Sequence, residues 1–185
     1  AMRVISGKFR GRKLRGPRGF RLRPTSDRLK ETLFDILGPA VSATVFLDVF
    51  AGTGAVGFEA LSRGSREVIF IESSGEAADL IRRNLELCGV STAYRIIERD
   101  VFAALRALGR QGFRADTVFL DPPYEWQAYH DLLDNVFRAG LVDRQSRVIV
   151  EHHCKAALPG DAERFERTRI VRQSDKCLSF YAMKN

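Results

Sequence analysis

The sequence predicts an α/β fold, a doubly wound parallel sheet ending in an antiparallel hairpin, with a small basic β-hairpin at the N-terminus. Three observations predict it. From residue 45 onward short apolar runs alternate with stretches of helical periodicity, the pattern of a parallel sheet covered on both faces. A glycine-rich turn, D-V-F-A-G-T-G-A-V-G from Asp48 to Gly57, joins the first apolar run to the first helix of that series. Acids recur at or near the ends of the runs: Asp48, Glu72, Asp100, Asp121 and Glu151. In doubly wound folds ligands sit outside the C-terminal ends of the strands.

The elements follow in order. Residues 2–24 alternate basic residues with Val4, Ile5, Phe9, Leu14, Phe20 and Leu22 and are punctuated by glycine, which reads as short strands paired as a hairpin. Phe9 and Phe20 either stack on bases or seat the hairpin on the body. Thr25 or Ser26 caps a helix whose Leu29, Leu33, Ile36 and Leu37 share a buried face, and Gly38-Pro39 ends it. Asp27 and Arg28 face either the pocket or solvent. Val45 to Leu47 is a strand that carries Asp48 with it, and Phe58 to Arg63 is helical. Glu67 to Ile71 is a strand ending in Glu72, residues 75–88 a helix, and Tyr94 to Ile97 a strand followed by Asp100. Residues 101–110 are helical. Thr117 to Leu120 is a strand running into Asp121-Pro122-Pro123-Tyr124, and residues 126–138 are helical. Arg147 to Val150 is a strand ending in Glu151, with His152 and His153 after it. Arg167 to Arg172 and Leu178 to Ala182 form the closing hairpin.

Composition narrows the classes. At 185 residues and 45% hydrophobic, the chain can bury a core, and no apolar run approaches the ~20 residues of a membrane span. Cys88, Cys154 and Cys177 form no CxxC pair and are expected reduced and packed, without a metal site, as suits the cytoplasm. Charge is uneven. Residues 1–30 hold eleven Lys or Arg against the single acid Asp27, so they carry +10; the whole chain carries +7, which leaves −3 on the remainder. A basic arm on a nearly neutral body is the footprint of nucleic-acid binding. Lys8, Arg10, Arg12, Lys13 and Arg15 are the candidate contacts.

Gly52-Thr-Gly-Ala-Val-Gly57 satisfies GxGxxG, and Glu72 stands twenty residues past Gly52, where a ribose-binding acid is expected. That alone would suggest NAD. Asp48 inside the strand argues otherwise, since it would repel a pyrophosphate and suits a cationic ligand. D-P-P-Y after the fourth strand has no evident use in hydride transfer.

These residues resemble a known family. The glycine turn, Glu72, Asp100 and D-P-P-Y look like the motifs of amino-methyltransferases that use S-adenosylmethionine (SAM). R-V-I-S-G-K-F-R-G-R-K-L at 3–14, R-P-T-S-D-R at 23–28, V-E-H at 150–152 and L-S-F-Y at 178–181 resemble more closely the RsmD family, bacterial 16S rRNA guanine-N2 methyltransferases. Ser174-Asp175-Lys176 stands where that family's pattern has Gly-Asp-Thr. The resemblance implies a Rossmann-like methyltransferase domain over residues 25–185, with residues 1–24 as an RNA-binding arm. It implies SAM as cofactor, held by Asp48, Phe50, Ala51, Gly52, Thr53, Gly54, Glu72, Asp100 and Val101. It also implies 16S rRNA as partner, free or within a small subunit, and a monomer with no membrane association.

The expected chemistry is methylation of an exocyclic base amine. Such an amine is a poor nucleophile because its lone pair is delocalised into the ring. Acceptors on its N–H groups free that lone pair: Asp121 is one and the carbonyl of Pro122 a second, held rigid by Pro122 and Pro123. Tyr124 is placed to stack on an extruded base. Glu72 would accept from ribose hydroxyls. Asp100 would accept from the adenine amine beside the Val101 N–H, or cap the next helix. His152 and His153 fit packing better than catalysis, while Trp126 and Tyr129 either line the base pocket or pack. Two rival functions stay open: another nucleic-acid amino-methyltransferase, for instance on DNA adenine, and a non-catalytic RNA-binding assembly factor.

Overall fold

A computed structural model describes residues 2–17 and 25–185. The expectations at Phe20 and Leu22 lie outside the described residues. The chain runs α1 (Asp27–Leu37), a 3-10 turn (Gly38–Val41), β1 (Val45–Val49), α2 (Ala55–Ser62), β2 (Glu67–Glu72), α3 (Gly75–Leu87), β3 (Tyr94–Glu98), α4 (Val101–Arg110), β4 (Thr117–Leu120), α5 (Tyr129–Arg138), β5 (Arg147–His153), β6 (Phe165–Gln173) and β7 (Lys176–Met183). The strands form one seven-stranded sheet in the order β3-β2-β1-β4-β5-β7-β6. β1 to β5 are parallel, and β7 lies antiparallel between β5 and β6.

Side-chain alternation splits the core into two layers. Phe46, Phe70, Phe119 and Ile149 face α1, α2 and α3, packing with Leu33, Phe34, Phe58 and Ile81. Leu47, Ile69, Val118 and Val148 face α4 and α5, packing with Leu105, Leu132 and Val136. Because helices cover both faces, β1 is buried at every position, and Asp48 is buried with it. The Ser26 hydroxyl caps α1 by accepting from the Leu29 N–H at 3.1 Å, and Gly38 ends the helix with φ 61°.

Several boundaries differ by a few residues, and two of them bear on the site. Residues 126–128 are not helical: the Trp126 N–H closes a turn on the Pro123 carbonyl at 2.9 Å, and α5 starts only at Tyr129. β5 runs on to His153 because β7 pairs with it through Glu151–Leu178, His152–Cys177 and His153–Lys176. Glu151 and His152 therefore lie within the strand. The cysteine expectation also fails: Cys154 and Cys177 form a disulfide, and Cys88 is left as a free, buried thiol. The β5–β7 pairing brings the Cα atoms of the bonded pair to 5.1 Å, a neighbourhood that 23 residues of sequence separation conceal.

The N-terminal segment forms a short open hairpin, with an antiparallel bridge between Arg3 and Lys13 and bonds such as Val4 N–H to Arg12 O at 3.0 Å. Val4, Phe9 and Leu14 are buried in the same core layer as α2 and α3, so Phe9 seats the hairpin. Polar anchors complete the docking. The Ile5 and Ser6 N–H groups donate to the Glu59 carboxylate at 2.9 and 3.0 Å. The Lys8 N–H donates to the Ser62 carbonyl at 2.8 Å, and the Arg15 N–H to Asn84 Oδ1 at 2.8 Å. Lys30, fully buried, donates to the Arg3 carbonyl at 2.6 Å and lies 3.6 Å from Glu59.

Candidate active site

The C-terminal ends of β1, β2, β4 and β5 open into a cavity of about 970 Å³. Its floor is the turn after β1. Phe50, Gly52 and Gly54 all have left-handed backbones, with φ of 58°, 58° and 77°. For Phe50 this conformation is sterically costly, and its ring is held edge-on against Trp126 at 5.3 Å. Gly54 starts α2, whose N-terminal N–H groups and dipole face the cavity side. Gly57 permits the helix to approach the sheet: a Cβ there would lie 2.3 Å from Phe70 Cε1 and 3.0 Å from Asp48 Oδ2. Its N–H donates to Asp48 Oδ2 at 3.0 Å.

Glu72, at the end of β2, receives the Gly52 N–H at 2.9 Å and the Ser74 N–H at 2.8 Å. These bonds hold its carboxylate against the glycine turn. Asp100 caps α4 by accepting from the Ala103 N–H at 3.0 Å, and Val101 and Phe102 form the adjacent wall. Phe102 stacks on Trp126 at 6.0 Å. Trp126 Nε1 is buried and has no hydrogen-bond partner among the described residues, an unsatisfied donor at the wall of the cavity.

D-P-P-Y follows β4 on the opposite side. Asp121 is half-buried, Pro122 buried, and Tyr124 77% exposed with its ring edge-on to His153 at 5.7 Å. Burial pushes the Asp121 carboxyl well above the usual carboxylate range, and the neighbouring Glu151 pushes it further. Asp48 is raised well above that range by burial, opposed by the Gly57 N–H. Burial also raises Glu151, against the Thr25 hydroxyl that donates to it at 2.8 Å.

The cavity thus gathers Asp48, Phe50, Ala51, Gly52, Thr53, Glu72, Asp100, Val101, Asp121, Pro122, Pro123 and Tyr124, while Gly54 lies just outside its lining. Lys8, Arg10, Arg12, Lys13 and Arg15 are exposed on the hairpin, away from it. The Arg12 guanidinium donates to the Cys88 carbonyl and lies 5.2 Å from the Phe9 ring centroid. Asp27 pairs with Arg3 at 3.5 Å outside the cavity. His152 is buried between Ser179 Oγ and the His153 carbonyl, both at 2.8 Å, a packed position. Thr25 and Lys176 line the cavity without having been expected there. Lys176 follows the turn in which Ser174 takes φ 59°, the left-handed position that glycine holds in the family pattern.

A model of the family described as "Conserved hypothetical protein 95" matches residues 2–182. A curated relative, "Ribosomal RNA small subunit methyltransferase D" of Escherichia coli K12, is 34% identical over 85% of this chain and 78% of its own length. The protein of the same name from Haemophilus influenzae is 40% identical over 68% of this chain and 65% of its own. The chain belongs to the RsmD family of rRNA methyltransferases. A solved structure of a hypothetical protein from Thermus thermophilus superposes with TM-score 0.83 at 30% identity, covering 97% of this chain and 98% of that one. A methyltransferase solved with bound SAH shares the fold at TM-score 0.68 and 13% identity, over 84% of this chain and 48% of its own. The doubly wound sheet with its antiparallel end is the fold of SAM-dependent methyltransferases.

The cavity residues fit such a cofactor. Acids at Asp48 and Glu72 suit an amine and a ribose, Gly52 brings no side chain to the floor, and an orphaned indole N–H stands beside an aromatic wall.

Proposed function

We propose that this RsmD-family enzyme transfers a methyl group from SAM to the exocyclic N2 amine of a guanine in 16S rRNA. The observation that carries this reading is the placement of D-P-P-Y in the same cavity as the glycine turn and Glu72. Bound SAM would supply an electrophilic methyl group on a positively charged sulfur. Glu72 would hold the ribose hydroxyls, and Asp48 the methionine end. Asp121 and the Pro122 carbonyl would accept the two N–H groups of the base amine, and Tyr124, open to solvent, would stack on the extruded base. Positioning supplies much of the rate in such a displacement. Residues 1–24 would act as the RNA-binding arm of a catalytic domain spanning 25–185. Lys8, Arg10, Arg12, Lys13 and Arg15 would neutralise rRNA phosphates there. The protein would work as a cytoplasmic monomer, on free rRNA or on a forming small subunit.

The test is methyl transfer from labelled SAM to 16S rRNA, small subunits and duplex DNA, followed by identification of the modified nucleoside. N2-methylguanosine in 16S rRNA is the expected product, and N6-methyladenine in DNA would replace this reading. Asp121→Ala should abolish transfer while equilibrium SAM binding persists. Full turnover by that variant would sink the mechanism.

A further inference from the structure

Asp121 does not stand alone. β4 and β5 pair in parallel with Leu120 opposite Val150, so the next step of the ladder sets Asp121 beside Glu151. Both side chains line the same cavity, and the Thr25 hydroxyl donates to Glu151 at 2.8 Å. Glu151 is 4% exposed. Two neighbouring carboxyl groups on one cavity wall, one of them buried, cannot both ionise cheaply, and a hydrogen bond between them would require a proton. Among the described residues, the other charged or titratable groups that bear on the pair are Asp48 from β1, Tyr129 from α5 and Lys176 from β7. His153 lines the same cavity, whereas His152 turns away to Ser179.

Resting on the methyl-transfer reading, we propose that Asp121 and Glu151 share one proton before reaction, and that Glu151, a positioning residue acting through Asp121, takes up that shared proton as Asp121 accepts one from the methylated amine. The N–CH3 bond forms as the S–CH3 bond breaks, and the electron pair of that bond stays on sulfur. The nitrogen then gives an N–H proton to Asp121 as the proton Asp121 already holds crosses to Glu151. The pair passes from −1 to neutral, and the positive charge that entered on sulfur leaves as a proton. Thr25 keeps Glu151 ready by favouring its ionised form.

The pair can be read in the free protein by ¹³C-carboxyl NMR titration, without substrate. The expected result is two coupled steps, the higher one well above the ordinary carboxylate range. Glu151→Gln should lower that higher step by about a unit or more, since Asp121 loses both a like charge and a hydrogen-bond acceptor. Thr25→Val should move the lower step up, and the acid limb of the single-turnover pH–rate profile should move up with it. A purely structural role for Glu151 would leave the limb in place. Two independent steps in the ordinary range, or a higher step unmoved by Glu151→Gln, overturns the shared proton. Should Glu151→Gln fail to fold, an acid limb unmoved in Thr25→Val overturns the proposal. Absence of methyl transfer from the wild type to any nucleic acid overturns the function, and with it the second proton transfer, however the pair titrates.

Discussion

Replacing Glu59 with Gln should lower the melting temperature by roughly 6–20 °C, counting about 3–5 kcal/mol for a broken buried ion pair at about 2–4 °C per kcal/mol for a chain of this size. The side chain is fully buried and accepts from the Ile5 and Ser6 N–H groups and from Arg63 Nε at 3.0 Å, with Lys30 Nζ at 3.6 Å. An amide can accept through one oxygen only, and its NH2 would confront a second donor. Lys30, itself 1% exposed, would lose its closest counter-charge. Burial already pushes the Lys30 ammonium down from its usual range, with Glu59 opposing that, so the ammonium depends on this partner. Circular-dichroism melts of wild type, Glu59→Gln, and Glu59→Gln with Lys30→Met give the measurement. The double variant removes both charges and should recover most of the loss, short of the Lys30 bond to the Arg3 carbonyl, worth about 1 kcal/mol. A single-variant shift below about 2 °C, or a double variant no more stable than the single one, would refute the reasoning.

Gly57→Ala should lower the melting temperature by about 4–8 °C. The new methyl meets a fully buried Phe70 at 2.3 Å, an overpacking cost of about 3 kcal/mol offset by about 1 kcal/mol of helix propensity. Calorimetric SAM affinity should fall with it, because the strained N–H is the one that holds Asp48. Arg10→Gln with Lys13→Gln should flatten the dependence of log K on log salt for rRNA binding by about 1.4–1.8. These two residues are exposed, whereas Arg12 also packs on Phe9 and would confound the result. An unchanged slope removes the arm from the interface.

The sheet was legible because its signals are local. Alternation of apolar runs with helical periodicity needs no knowledge of distant residues, and the glycine turn and D-P-P-Y each carry their chemistry within a few positions. What the sequence withheld depends on contacts across the chain. Thr25 meets Glu151 over 126 residues of separation, and Cys154 meets Cys177 only because β7 inserts beside β5. The same insertion extends β5 past Val150 and turns Glu151 from a strand-end acid into the neighbour of Asp121. The expected helix over residues 126–138 starts only at Tyr129, because the proline-fixed turn captures the Trp126 N–H first. For Asp100 the capping alternative is realised in the structure, and the cavity wall at Val101 follows from where that cap starts α4.

The eight residues of α2 join the two halves of the proposed function. All eight are buried, so the helix has no solvent face and its polar groups answer to neighbouring segments. At its N-terminal side Gly57 fixes Asp48 beneath the cavity. One turn on, Glu59 and Ser62 bind the hairpin through Ile5, Ser6, Lys8 and Phe9. Gly7 has φ 86° and sits so close to the Ser62 carbonyl that no side chain fits between them. The hairpin is therefore indexed to the helix that follows the cavity floor. Under the proposed function, phosphates held by the hairpin and an amine held by D-P-P-Y would both be placed by this docked arrangement. A contact of the hairpin with RNA would then position the base as well as bind it, a route by which a small domain could obtain site selectivity from charge alone.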